Sequence, residues 1–222
     1  MTADQRRAGI LLAARKAFAQ RGFHGAGTSE IATAAGCSEP MIYKHFPSKQ
    51  ALFAATLEDA TLELRGRIHD ALDHHSPGAD ELGAMAGIAN RLCDDEVMLD
   101  VARLRMLAIP LADDPQIRAA LDLSLSGMRN RVVRVVGEGQ ERGELRPDAD
   151  PEVISWLWVG FVLAAAYRYS VEGKDVLHEL PEMPKTLLRM LRQPIPEEAS
   201  SGHTSVPITS GGRCSPCASR CS

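Results

Sequence analysis

Between Thr28 and Lys49 the chain sets out side chains suited to bonding with bases and phosphates. Thr28, Ser38, Tyr43 and His45 can donate and accept hydrogen bonds, Glu39 can accept, Pro40 and Met41 add apolar surface, and Lys44 and Lys49 bring positive charge. Hydroxyl and ammonium groups of this kind neutralise and position phosphates, and a few of them reach base edges. Bond-making chemistry needs a tighter constellation. His-Glu-x-x-His, Gly-x-Ser-x-Gly, a Walker loop and a dinucleotide fingerprint are all missing, so no enzyme activity is expected. His69, Asp73, His74 and His75 gather near a helix end, where histidine complements the helix dipole without any metal. Cys214, Cys217 and Cys221 form one half of a zinc framework without the other. Neither a metal nor a cofactor is expected.

Side chains meant for a groove of DNA must stand on a short helix braced across another. Residues 2 to 21 supply the brace, with Ile10, Leu11, Ala14, Ala17 and Phe18 at helical spacing, a capping box of Thr2 and Gln5, and Gly22 as the stop. Thr28 is expected to cap a short helix ended by Gly36, and Ser38 to cap the next, over Glu39 to Phe46, where Pro40 is tolerated in the first turn. Ala32 gives the small side chain at the crossing, Gly36 allows a left-handed corner, and Ile31, Ala35, Cys37 and Ile42 supply buried contacts. Phe46 reads as packing, not contact. Ser48 then caps a long helix to about Leu72, striped by Leu52, Phe53, Leu57, Leu64, Ile68 and Leu72.

The charge of the chain is divided along the same line. Overall it is −4, yet residues 1–50 hold seven Lys or Arg against three Asp or Glu, which leaves an acidic remainder. A basic module facing phosphate and an acidic body that avoids it fit this asymmetry.

Gly22-Phe23, Thr28-Ser29-Glu30-Ile31-Ala32, Ala35-Gly36-Cys37-Ser38, Ile42-Tyr43-Lys44-His45-Phe46 and Ser48-Lys49 through Leu52 closely resemble the DNA-binding signature of TetR-type regulators, without gaps. The resemblance covers about residues 6–55. It implies an all-α fold in which three N-terminal helices read a double-stranded DNA operator, a fourth transmits, and the rest bind a small-molecule ligand and form a homodimer. It also implies, for most members, repression from a palindromic operator until the ligand binds. Pro40-Met41 stands where many members have Gly-Thr, so the base readout of a typical relative does not transfer. The alternative is a helical enzyme or docking module carrying a vestigial DNA-binding head.

The expected division is a helix-turn-helix DNA-binding domain over 1–47, a helical ligand-binding and dimerisation domain over 48–193, and a disordered tail over 194–222, which is too poor in large apolar residues to order itself. Helices are expected at about 79–93, 95–109, 114–142, 150–172 and 182–192, separated by Pro77-Gly78, Asp113-Asp114-Pro115 and Pro147 to Pro151. Val153 to Tyr167 carries no charge but is too short for a membrane span of about 20 residues, so it reads as a buried helix. Ile154, Trp158, Phe161 and Ala165 form one face and Trp156, Gly160, Leu163 and Tyr167 another, one for the core and one for a partner. The last two helices, about 150–172 and 182–192, are the expected dimer seam. Met85, Met98, Met106, Trp156 and Phe161 are candidate linings of a ligand pocket, being large and adaptable. With no secretory pattern at the N-terminus, a reducing cytoplasm and free thiols, Cys37 and Cys93 included, are expected.

Overall fold

The computed structural model describes residues 2–76, 78–91, 95–173 and 182–192. They form nine α-helices in the order α1 (Ala3–Gly25), α2 (Thr28–Ala34), α3 (Glu39–His45), α4 (Lys49–Leu72), α5 (Ala79–Arg91), α6 (Glu96–Ala108), α7 (Pro115–Glu141), α8 (Pro151–Glu172) and α9 (Glu182–Arg192), with a short 3-10 turn at Ile109–Leu111. No strand occurs among the described residues, so the fold is all-α. The 194–222 tail with its three cysteines, Cys93, and the end of the helix expected over 79–93 lie outside the described residues.

Local chemistry accounts for the starts of several helices. At α1, Gln5 N donates to Thr2 Oγ1 at 3.2 Å and Thr2 N donates to Gln5 Oε1 at 2.9 Å, a reciprocal cap. Gly22 breaks the helical backbone at φ 73°, and a last turn follows it. Asp95 Oδ1 caps α6 by accepting from Val97 N and Met98 N, and Asp114 Oδ1 caps α7 through Gln116 N and Ile117 N. At α4, Ala51 N donates to Ser48 Oγ at 3.0 Å. Ser48→Ala is therefore expected to cost about 1 kcal/mol, read as a lower urea midpoint with an unchanged slope.

Two apolar clusters result. The first joins Phe18, Ile31, Ile42, Leu52 and Phe53 of α1–α4 to Val101 and Leu104 of α6. Phe53 meets Phe18 and Phe23 edge-on, with ring centres 5.1 and 5.4 Å away. The N-terminal helices thus share their core with α6, not only with α4. The second cluster gathers Leu82, Ile88, Val132, Val136 and Trp158 from α5, α7 and α8, with Leu191 from α9. Ile68 of α4 packs against both.

Candidate DNA interface and ligand cavity

The crossing of α2 and α3 depends on a corner that turns within three residues. Gly36 adopts φ 65°, a conformation that costs other residues a Cβ clash, while Cys37 N donates to Ala32 O at 2.9 Å. Ile31, Ala32 and Ile42 are buried, and Ala35 and Cys37 pack against the same core. This anchoring turns the other side of α3 outward. Pro40, Tyr43 and Lys44 are exposed, and Met41 and His45 half-buried, so one helix presents an apolar edge, a phenol, an ammonium and an imidazole. Lys44 has no hydrogen-bond or ion-pair partner among the described residues. Phe46 is buried beneath the Arg7 guanidinium, whose Cζ lies 5.1 Å from the ring centre.

Two expected caps differ in detail. Gly27, not Thr28, occupies the cap of α2, and Thr28 is the first helical residue. Its hydroxyl donates instead to the Glu39 carboxylate on α3 and lies 3.4 Å from Tyr43 Oη. Donation to a charged acceptor on the next helix turns the hydroxyl across the corner instead of back onto the N–H groups of its own helix. Ser38 has the extended cap backbone, but its exposed side chain makes no capping bond. Thr28, Glu39 and Tyr43 therefore form a polar bridge that fixes α3 on α2. Lys49 opens α4 against the end of α1, with Nζ 5.0 Å from the Phe23 ring centre and donating to His24 O at 3.5 Å.

Farther along α4 lies a cavity of about 650 Å³ between α4, α5, α6, α7 and α8. Met85, Met98, Ile68, Ile88, Met128 and Trp158 supply much of its wall. Of the five residues expected there, Met85 and Met98 line it and three do not. Met106 is half-buried on another side of α6. Phe161 is buried, edge-on to Trp158, without reaching the cavity. Trp156 points outward, 53% exposed, and the Arg129 guanidinium lies 4.2 Å above its ring. The sequence reading missed the four arginines at the cavity, Arg65, Arg105, Arg131 and Arg134.

Helix α8 resolves the question of its two faces. Ile154, Trp158 and Phe161 are buried, whereas Val153, Trp156, Leu157, Tyr167 and Val171 stand at least half exposed along the other side. Among the described residues no helix is long and apolar enough to cross a membrane, and no three His, Cys, Asp or Glu side chains converge as metal ligands.

A short exposed helix crossed on another, at the end of a helical body, defines a helix-turn-helix DNA-binding regulator. Residues 10–56 match the tetR family of bacterial regulatory proteins, and residues 112–179 match the tetracyclin repressor-like C-terminal domain. The HTH-type transcriptional activator FasR of Mycolicibacterium smegmatis is 30% identical over 148 residues, 49% of this chain and 68% of that protein. The HTH-type transcriptional repressor AcnR of Corynebacterium efficiens is 24% identical over 178 residues, covering 78% of this chain and 88% of its own. The fold is also that of the transcriptional regulator FadR of Bacillus subtilis, solved with stearoyl-CoA, at a TM-score of 0.69 and 18% identity over 85% of this chain and 98% of that one. The chain belongs to the TetR family of transcriptional regulators.

Proposed function

We propose that the protein is a homodimeric repressor that grips a palindromic operator through α3 and lets go when a small molecule fills the cavity between α4 and α8. The observation that carries this reading is the double use of α4. Its first residue, Lys49, follows the end of the recognition helix by four residues, and Leu64, Arg65, Ile68 and His69 of the same helix line the cavity, roughly 22–30 Å away at 1.5 Å per residue. A ligand that displaces those residues tilts the helix on which the DNA-reading pair is mounted.

Tyr43, Lys44 and His45 are assigned to bases and phosphates of the major groove, with Ser38, Pro40 and Met41 at the leading turn and Lys49 on the flanking phosphate. Thr28 and Glu39 orient them through the bridge to Tyr43. The exposed faces of α8 and α9 are assigned to the partner, which sets two α3 helices at a half-site spacing of about one DNA turn. FadR's complex with stearoyl-CoA supports the view that this architecture admits a ligand with an apolar chain.

The test begins with selection of bound fragments from random double-stranded DNA. A palindrome is expected to be enriched. On that site Lys44→Ala and Lys49→Ala are each expected to weaken binding and to lower the salt slope by about 0.9 per lost phosphate contact, counted twice in a dimer. Lys44→Ala is the cleaner of the two, because Lys49 also packs on Phe23. Unchanged slopes would remove both lysines from the interface. Reporter output that rises with the protein would make it an activator and leave the interface standing.

A further inference from the structure

Four arginines surround a cavity lined by no aspartate or glutamate, and only two of them are balanced. Glu81, with 4% of its side chain exposed, accepts from Arg131 Nε at 2.8 Å and from Arg134 Nη2 at 2.9 Å. Glu138 takes a further bond from Arg134 at 3.0 Å. Arg65 and Arg105 have no carboxylate partner among the described residues.

Arg105 is 5% exposed and shares the inner face of α6 with Val101 and Ala108. Its Nε donates to Ser124 Oγ at 2.5 Å and its Nη2 to Ser124 O at 2.9 Å. Burial without a compensating charge pulls this guanidinium down to about 10, so it is still a cation at neutral pH. A neutral amide could hold Ser124 without that desolvation, so a buried cation here calls for an anion.

Arg65 approaches the same turn of α7 from α4. A Cβ on Gly127, one turn after Ser124, would come within 2.7 Å of the Arg65 Cζ, so the missing side chain makes room for the guanidinium. Thr61, one turn before Arg65, donates to Ser124 Oγ at 3.1 Å. Three helices thus bring two guanidiniums without a carboxylate partner to the stretch Ser124–Gly127, in a chamber walled for the most part by apolar side chains.

Resting on the reading of this cavity as the ligand site, we propose that the ligand is an organic monoanion, its carboxylate held between Arg105 and Arg65 and its aliphatic or aryl body laid against Met85, Met98 and Trp158. The volume of about 650 Å³ is that of a site for one drug-sized molecule. Guanidinium forks favour a carboxylate over a hydroxyl or an ester, because both oxygens carry charge and accept in one plane.

Isothermal titration of the full-length protein with decanoate, phenylbutanoate, methyl decanoate and decanol tests the proposal, with operator release followed in parallel by fluorescence anisotropy. At least one of the two acids is expected to bind roughly tenfold or more tighter than decanol, the worth of a hydrogen bond to a charged group. The acid that wins tells an aliphatic from an aryl body. Arg105→Met and Arg65→Met are each expected to remove that preference, bringing the affinity of the acid down to the level of decanol. Arg65 is solvent-exposed, so its variant carries the test if Arg105→Met does not fold. Decanol or the ester binding as well as both acids would overturn the anion and leave the cavity as the ligand site. Failure of all four probes to bind would overturn both.

Discussion

Gly160→Glu is expected to turn the protein into a monomer that no longer holds a palindromic operator. Gly160 lies in the middle of the stripe formed by Val153, Trp156, Leu157, Ala164, Tyr167 and Val171, which recurs in steps of three and four residues along one side of α8. Trp156, Leu157 and Tyr167 are 53, 52 and 57% exposed, and Met190 of α9 is 60% exposed. Single exposed apolar residues are ordinary, but a continuous row about 27 Å long marks a surface that something covers. A Cβ at Gly160 would meet nothing within 4 Å inside the chain, and its φ is not left-handed. The chain gains nothing from this glycine, which costs about 1 kcal/mol in mid-helix, whereas a second helix crossing there would. In a two-fold seam every substitution enters twice, so two unpaired carboxylates are buried together. We expect a loss of about 4 kcal/mol or more, roughly a thousandfold in the dimer dissociation constant. Sedimentation at micromolar concentration reads the mass, and the helical circular dichroism is expected to persist because glutamate is the better helix former. A variant that stays dimeric and keeps the operator would remove α8 from the seam.

How much of this was legible in the sequence depends on how far apart the interacting groups lie. The caps at Thr2 and Ser48, the corner at Gly36 and the limits of α4, α7 and α8 are set within a few residues, and patterns of side chains reveal them. Thr28 was misread because its hydroxyl answers to Glu39, whose position relative to it is fixed only once α3 has crossed α2. The cavity shows the same limit at greater range. Periodicity says which residues of a helix share a face; it does not say which face opens on a void, and of the five large side chains singled out only Met85 and Met98 stand on one that does. On α8, apolar all round, both faces look alike until α7 is seen to cover one of them. The arginines were missed because a charged residue is assigned to solvent by default. A signal was present: Arg105 keeps the register of buried Val101 and Ala108, and Ser124 that of Ile117 and Ala120.

The largest loss of stability is expected at Arg15, whose guanidinium ties α1 to the helices that line the cavity. Its side chain is 10% exposed, with Nη1 2.6 Å from Glu63 Oε2 on α4 and Nε 3.7 Å from Asp100 Oδ2 on α6. Arg67 extends the network, at 2.6 Å from both Glu63 Oε1 and Asp95 Oδ2. Burial raises the Asp59 and Asp100 carboxyls, and Arg15 draws both back down. Burial works against the Glu63 carboxylate too, but bonds from Arg15 and Arg67 outweigh it and hold this group below its ordinary value. In Arg15→Met these three carboxylates lose their shared cation. The expected cost is about 2–3 kcal/mol, under the roughly 3–5 of a fully buried pair because water still screens Glu63. Its sign with pH follows from the shifts. The lowered Glu63 stabilises the parent above its unfolded value, and that contribution fades as pH falls through the folded one; the raised aspartates cost stability at higher pH and are relieved on protonation. The deficit of the variant is therefore expected to be greatest near neutral pH and to shrink below about pH 5, which urea titrations across that range measure. Glu63 is the neighbour of Leu64 in α4, and Asp100 lies two residues after Met98 in α6, so the same contact lies between the cavity and the DNA-reading helices. Ligand-driven release of the operator is expected to weaken in the variant even where most of it is folded. An unchanged urea midpoint at neutral pH would reduce the network to a solvated charge cluster and leave α4 alone to carry the signal.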